Sequence, residues 1–195
     1  MNKLVKDLIV IVVITVIAGA LLGAVYTITK DPIAKQEALT EQKALNTVFS
    51  EADHFTEQEV KEDALGSSSA TLDKLYTAMD ASENLLGYVL VITSHEGYGG
   101  DITFSMGISL DGMTKGISIT SISETVGLGM NASKVLVPQF TNRTESEYVL
   151  VKSDHPTGNE IKAISSATIT STAVVKAVNL GLSYYQEKLG GVISE

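Results

Sequence analysis

Residues 163–175, AISSATITSTAVV, set three serines and three threonines directly ahead of a helix-like apolar repeat. Two readings of such a cluster stand side by side. Ser and Thr at a helix start satisfy backbone N–H groups that have no partner inside the helix. Alternatively, one hydroxyl is the attachment point of a phosphate-bearing group, because unpaired N–H groups and the positive end of the macrodipole draw anions there. Thr168 is the candidate hydroxyl. It lies just before the C-terminal helix, for which Thr170 or Ser171 is the expected N-cap, and its neighbours Ser165, Ser166 and Ala167 are small enough to leave room for a bulky substituent. On these residues alone the plain capped helix is the stronger reading, since Ser/Thr caps are ubiquitous.

A second candidate is the loop Glu124-Thr125-Val126-Gly127-Leu128-Gly129, whose two glycines let the backbone come close to a flat ligand. Ser68-Ser69-Ala70-Thr71 repeats the letters of residues 165–168, but it sits in a polar stretch after Gly66 with no long capped helix behind it, so it reads as linker. His54, His95 and His155 are scattered without metal-ligand spacing, and no serine has a placed histidine partner in the sequence. The chain has no cysteine, which excludes disulfides, thiolate metal sites and thiol nucleophiles. A formal net charge of −9, with no basic block, argues against nucleic-acid binding.

The elements that must position these residues follow from patterning. Leu8 to Thr29 is an uncharged run of 22 residues, about 33 Å as a helix and enough to cross a hydrocarbon core of roughly 30 Å. A cleaved signal peptide is the rival reading, with Lys3 and Lys6 ahead and Ala18-Gly19-Ala20 as a cleavage site, but the run continues too far for an ordinary signal. Lysines on both sides give no orientation. Asp31-Pro32 predicts a break, followed by a juxtamembrane helix over 34–52 and a polar loop over 53–69. Strands are expected at 87–94 and 147–152, with a hairpin over 101–120 turning at Asp111-Gly112. Residues 124–137 read as a glycine loop and a short helix stopped by Pro138. Val174, Val178, Leu182, Tyr185 and Leu189 mark an amphipathic helix over 172–189, ended by Gly190-Gly191. The class is α+β, with a tail at 1–7, a membrane span at 8–29, a juxtamembrane helix and linker at 30–70 and the main domain at 71–195.

AISSATITS resembles the S/T-G-A-T flavinylation motif of FMN-binding domains, in which the final threonine carries FMN through a phosphoester. GYGGDITFSMGISLDGMTKGISI and ETVGLG resemble the strands and the ETPGLG loop of the same family, in the same order. An anchor ending in Thr29, Pro32 and Ile33 resembles that of the G subunits of the Rnf electron-transport complex. The resemblance implies an antiparallel sheet with packed helices behind one transmembrane helix, and FMN covalently held by Thr168. It further implies a site formed by Ser165, Ser166, Ala167, Ile169 and Thr170 with the loop residues Glu124, Thr125, Gly127, Leu128 and Gly129, where backbone N–H groups would bond the flavin edge and Leu128 would pack on the ring. No catalytic residue and no metal are implied. Its partners would be the other membrane and peripheral subunits of an Rnf-type complex and a flavin transferase for maturation. The chain would be single-pass in the cell membrane, with its FMN domain outside the cytoplasm, relaying electrons between ferredoxin and NAD in a complex that moves sodium ions or protons. A free-standing anchored flavin domain, a quinone-reductase C-type subunit and a cofactor-free anchored scaffold are the alternatives. Ser166 stands where the motif has glycine, Lys162 where aspartate is common and Val126 where the loop has proline. An open loop accommodates the serine if its φ is negative.

Overall fold

A computed structural model describes residues 3–60 and 64–190. The chain divides into two compact units, Met1–Thr40 and Glu41–Glu195. Helix α1, Lys3–Val48, runs for 46 residues and carries the apolar segment, whose most apolar window is wholly unburied by protein and long enough to cross a membrane. β-branched residues crowd this segment and are mediocre helix formers in water. In lipid a spanning segment must satisfy its own backbone, and the helix does so. The hydroxyls of Thr15, Thr27 and Thr29 donate back to the carbonyls of Ile11, Gly23 and Val25, so these polar side chains are satisfied within the helix. The break expected at Asp31-Pro32 is absent, because α1 passes through Pro32. A proline inside a helix forfeits one backbone bond, and the long helical stretches on either side absorb that loss.

In the second unit β1 (His54–Gln58), β2 (Ala70–Met79), β3 (Leu85–Ser94), β4 (Ile102–Ser109) and β5 (Thr114–Ile122) form an antiparallel meander in sequence order. A short helix α2 (Ala132–Val135) between two 3-10 turns comes next, then the parallel pair β6 (Val149–Val151) and β7 (Glu160–Lys162), and finally α3 (Thr168–Lys188). Alternation along β4 sends Ile102, Phe104, Met106 and Ile108 into the main core with Val174, Val178, Leu182 and Tyr185 of α3. A second cluster joins Leu45, Val48 and Phe49, at the end of α1, to Tyr76, Ala78, Val89 and Val91 of the sheet. Close approach on each side needs a glycine. A Cβ on Gly181 would lie 2.7 Å from Ile92 Cδ1, and one on Gly107 would lie 2.7 Å from the Val48 carbonyl oxygen.

Several local expectations are corrected. The polar stretch 53–69 contains β1, an edge strand with three exposed residues whose weak alternation hid it; its register is set by β2, with His54 opposite Met79 and Gln58 opposite Leu75. Ala70 and Thr71 open β2 and are not linker. The compact unit begins at Glu41, so the last two turns of α1 pack on the sheet where stalk and linker were expected. The short helix expected before Pro138 is present as α2, which ends at Val135, and Pro138 itself lies in the first turn of the 3-10 turn Val137–Phe140 that follows, where proline is accepted.

Candidate functional site

Helix α3 begins at Thr168, earlier than expected, and its N-cap is Ala167, which makes no side-chain capping hydrogen bond. Thr170 and Ser171, the expected caps, are buried inside the first turn. Ser171 ties the preceding loop down: its hydroxyl donates to the Ala167 carbonyl at 2.9 Å and accepts the Ile164 N–H at 2.9 Å. The start of α3 therefore keeps its outermost N–H groups uncapped by any side chain, with Thr168 and Ile169 exposed beside them. Ser166 has φ +63°, so the condition under which an open loop readily takes a serine there, a negative φ, is not met. The turn into α3 is left-handed at this residue, the conformation that glycine takes without steric cost.

The loop 124–129 packs against this helix start. Glu124 is buried and its Oε1 accepts the backbone N–H of Tyr98 at 2.8 Å, joining the loop to the Gly97–Gly100 turn. A Cβ on Gly129 would lie 2.7 Å from Glu124 Cβ and 2.8 Å from Thr170 Oγ1, so only glycine lets the loop reach the first turn of α3. Gly127 plays a different part. Its φ is +82° with open space around it, so it serves the turn itself and not a close approach.

The Gly97–Gly100 turn, the loop and the start of α3 enclose a cleft of about 540 Å³, lined by Tyr98, Glu124, Thr125, Leu128, Gly129 and residues 166–170. Nine of the eleven residues singled out from the sequence line it: Ser166, Ala167, Thr168, Ile169, Thr170, Glu124, Thr125, Leu128 and Gly129. Ser165 and Gly127 do not. Tyr98 was missed, although an aromatic residue between glycines in GYGG was the available signal. Among the described residues no Lys or Arg lines the cleft. The lining combines the hydroxyl residues Thr125, Ser166, Thr168 and Thr170 at and opposite the helix start with the apolar and aromatic side chains of Leu128, Ile169 and Tyr98.

Thr71 lies elsewhere. It is exposed on β2, and its hydroxyl donates to Asp73 Oδ1 at 2.8 Å. His95 does find a hydroxyl partner, with Nε2 3.4 Å from Thr71 Oγ1 and Nδ1 3.0 Å from Asp101 Oδ1. This row has the order of a nucleophile, base and orienting acid, but the Thr71 proton is directed to Asp73 and the contact with His95 is long. It is a polar clasp at the ends of β2 and β3. Lys162 pairs with Asp154 at 2.6 Å and holds that carboxyl below the usual carboxylate range by hydrogen bond and charge.

Comparison with known proteins decides the family. The chain is 32% identical over 184 residues to the G subunit of the Na(+)-translocating ferredoxin:NAD(+) oxidoreductase complex of Acetobacterium woodii, covering 91% of this chain and 89% of that one. The chain belongs to the G-subunit family of Rnf-type ion-translocating oxidoreductase complexes. The G subunit of the ion-translocating oxidoreductase complex of Methanosarcina acetivorans is likewise 32% identical, with 97% of this chain and 98% of that one covered. Residues 97–183 match the FMN-binding domain, and residues 6–48 match the RnfG N-terminal region. Among solved structures, NqrC of Shewanella oneidensis shares the fold, with TM-score 0.57 at 13% identity over 78% of this chain and 95% of that one. The C subunit of the Na(+)-translocating NADH-quinone reductase of Parabacteroides distasonis does so too, with TM-score 0.57 at 18% identity over 82% and 96%. The FMN-binding match spans the whole cleft, from Tyr98 to Thr170.

Proposed function

We propose that this G-family protein carries FMN covalently on Thr168 and relays electrons inside a membrane complex of the ferredoxin:NAD(+) oxidoreductase kind named for its relatives. The observation that carries the reading is the position of Thr168: an exposed hydroxyl on the first residue of α3, opening onto a cleft of cofactor size. The cleft fits FMN at both ends. Helix N–H groups without a side-chain cap would meet a phosphoester on Thr168, and they matter more because no Lys or Arg among the described residues lines the cleft to meet its charge. Leu128, Ile169 and Tyr98 offer the apolar and aromatic surface that a flavin ring requires. FMN supplies reversible electron transfer, which no side chain of this cysteine-free chain provides. The protein's own part is to hold the phosphate end at Thr168, to seat the ring against Leu128 and Tyr98, and to keep loop 124–129 fixed through Glu124. Residues 8–29 of α1 would anchor the protein, with the cleft on the extracytoplasmic side, and covalent attachment would keep the cofactor from diffusing away.

The test is made on full-length protein produced with a flavin transferase. Intact mass should show one FMN increment, the denatured gel band should fluoresce, and the modified peptide should contain Thr168. A Thr168→Val protein that stays fluorescent would refute the attachment. For topology, a protease added to intact cells should reach the cleft domain, and protection there would refute the extracytoplasmic placement. An N-terminus starting near Leu21 would replace the anchor with a processed signal.

A further inference from the structure

Ser166 occupies the place where the conformational demand and the residue type disagree. Its φ of +63° is matched among non-glycine residues by Glu83 and Asn142. Asn142 is of a type that visits this region readily, by virtue of a short polar side chain. Glu83 sits in the β2–β3 turn, where the Asp80 carboxylate accepts the N–H groups of Ser82 and Asn84 and sets the local geometry. Ser166 has neither support, and its hydroxyl makes no hydrogen bond to any described residue. Glycine would adopt the same turn without strain. Strain kept at a site points to a use for the group that causes it.

The surroundings identify that use. Ser166 lines the cleft two residues before Thr168. The Ser171 hydroxyl is committed to Ile164 and Ala167, and Thr170 is buried. Among the described residues, Ser165 does not line the cleft, and neither Lys nor Arg does. An anion on Thr168 must therefore be met by neutral donors; of the cleft-lining hydroxyls without a hydrogen bond among the described residues, those of Tyr98 and Thr125 come from other segments and Thr170 is buried, which leaves Ser166 as the exposed one on the same turn as Thr168. We propose that Ser166 is a positioning residue whose hydroxyl donates a hydrogen bond to a phosphate oxygen of the phosphoester on Thr168, the left-handed turn being kept to aim it. This rests on the attachment reading above.

The experiment compares wild type, Ser166→Ala and Ser166→Gly as full chains, each prepared with and without FMN by including or omitting the transferase. Melting temperature and the phosphorus NMR resonance of the bound phosphoester are measured. Without FMN, Ser166→Gly should melt roughly 2–4 °C higher through strain relief. Loading should raise the wild-type melting temperature more than that of either variant, by roughly 4 °C or more, and the phosphorus resonance should move in both variants. Equal loading increments and an unmoved resonance in all three would overturn the role of Ser166 while leaving attachment intact. Folded variants that take up no FMN would also overturn it, since the hydroxyl would then act in transferase recognition. A wild type without an FMN increment on Thr168 would remove the attachment reading and this proposal with it.

Discussion

The chain spells Ser-Ser-Ala-Thr twice, at 68–71 and at 165–168, and folds the two copies differently. In the first, Ala70 and Thr71 open strand β2, Thr71 faces Thr93 across the ladder and Leu72 turns into the core. In the second, Ser166 is left-handed, Ala167 stands at the N-cap position without a side-chain capping bond and Thr168 starts a helix of 21 residues. The difference comes from the residues C-terminal to each copy. After Thr71 comes a strand that alternates only to Asp73 and is then buried continuously from Leu75 to Ala78, whereas after Thr168 the apolar residues recur at helical spacing. On the attachment proposed above, the four letters would carry phosphate chemistry only where the next elements set the hydroxyl at a helix start beside a cleft.

The largest expected effect breaks the pair apart. Thr168→Val should lose all covalent FMN, and Thr71→Val should lose none, as read by fluorescence of the denatured band. The fold should survive in both. The Thr168 side chain caps nothing, the loop is held by Ser171, and exposed Thr71 contributes only about 0.5 kcal/mol. Label loss in Thr71→Val alone would move the site to the first copy.

The two glycines of loop 124–129 sharpen the contrast between a residue that positions the site and one that only shapes the chain. Gly129→Val would drive a side chain into Glu124 and Thr170, costing about 1–3 kcal/mol and parting the loop from α3. Gly127→Ala meets open space and costs only the strain of φ +82°, about 1–2 kcal/mol. Melting curves should rank Gly129→Val as the more damaging change, and the flavin absorption spectrum should shift in that variant alone. A spectrum moved by Gly127→Ala and not by Gly129→Val would reverse the roles assigned to them.

A third pair lies within α3. Ser171→Ala strands the buried Ile164 N–H and should cost about 1–3 kcal/mol. Thr172→Val removes only an exposed hydroxyl that donates to its own helix and should cost about 0.5 kcal/mol or less. Denaturant midpoints distinguish them. Equal costs would show that the loop before α3 is held by something other than Ser171.

The parts of the fold with strong periodicity were legible in the sequence: α3, the β4–β5 hairpin at Asp111-Gly112 and the apolar run of α1. What escaped depends on partners distant in the chain. β1 pairs only because β2 offers it an edge, and the end of α1 is buried only because Gly107 lets it approach. The residues that gather round the cleft were singled out through resemblance, while the structural part each plays was not. No local pattern tells that Gly129 packs and Gly127 turns, that Ser171 tethers without capping, or that Ser166 is left-handed. Those facts arise where three segments from residues 97, 124 and 166 onward converge.

The smallest expected effect concerns Lys162, six residues ahead of Thr168, where the resembling motif favours aspartate. Its ammonium is engaged by Asp154 at 2.6 Å, and its backbone N–H and carbonyl pair with the side-chain amide of Gln139. The contact holds the Asp154 carboxyl below its ordinary value of about 3.9. A folded-state pKa below the unfolded one gives stability that is present above that ordinary value and is lost as pH falls through the lower folded value. Lys162→Met should therefore return the Asp154 titration towards the ordinary range in an NMR pH series. The stability difference from wild type should be small near neutrality, since Asp154 is largely exposed and Lys162 partly so, and should vanish in acid. FMN yield on Thr168 should match the wild type, because the lysine's charge is spent on Asp154. A marked change in yield with an unchanged Asp154 titration would instead place the Lys162 charge at the attachment site and separate this region of the chain from the first Ser-Ser-Ala-Thr by one more feature.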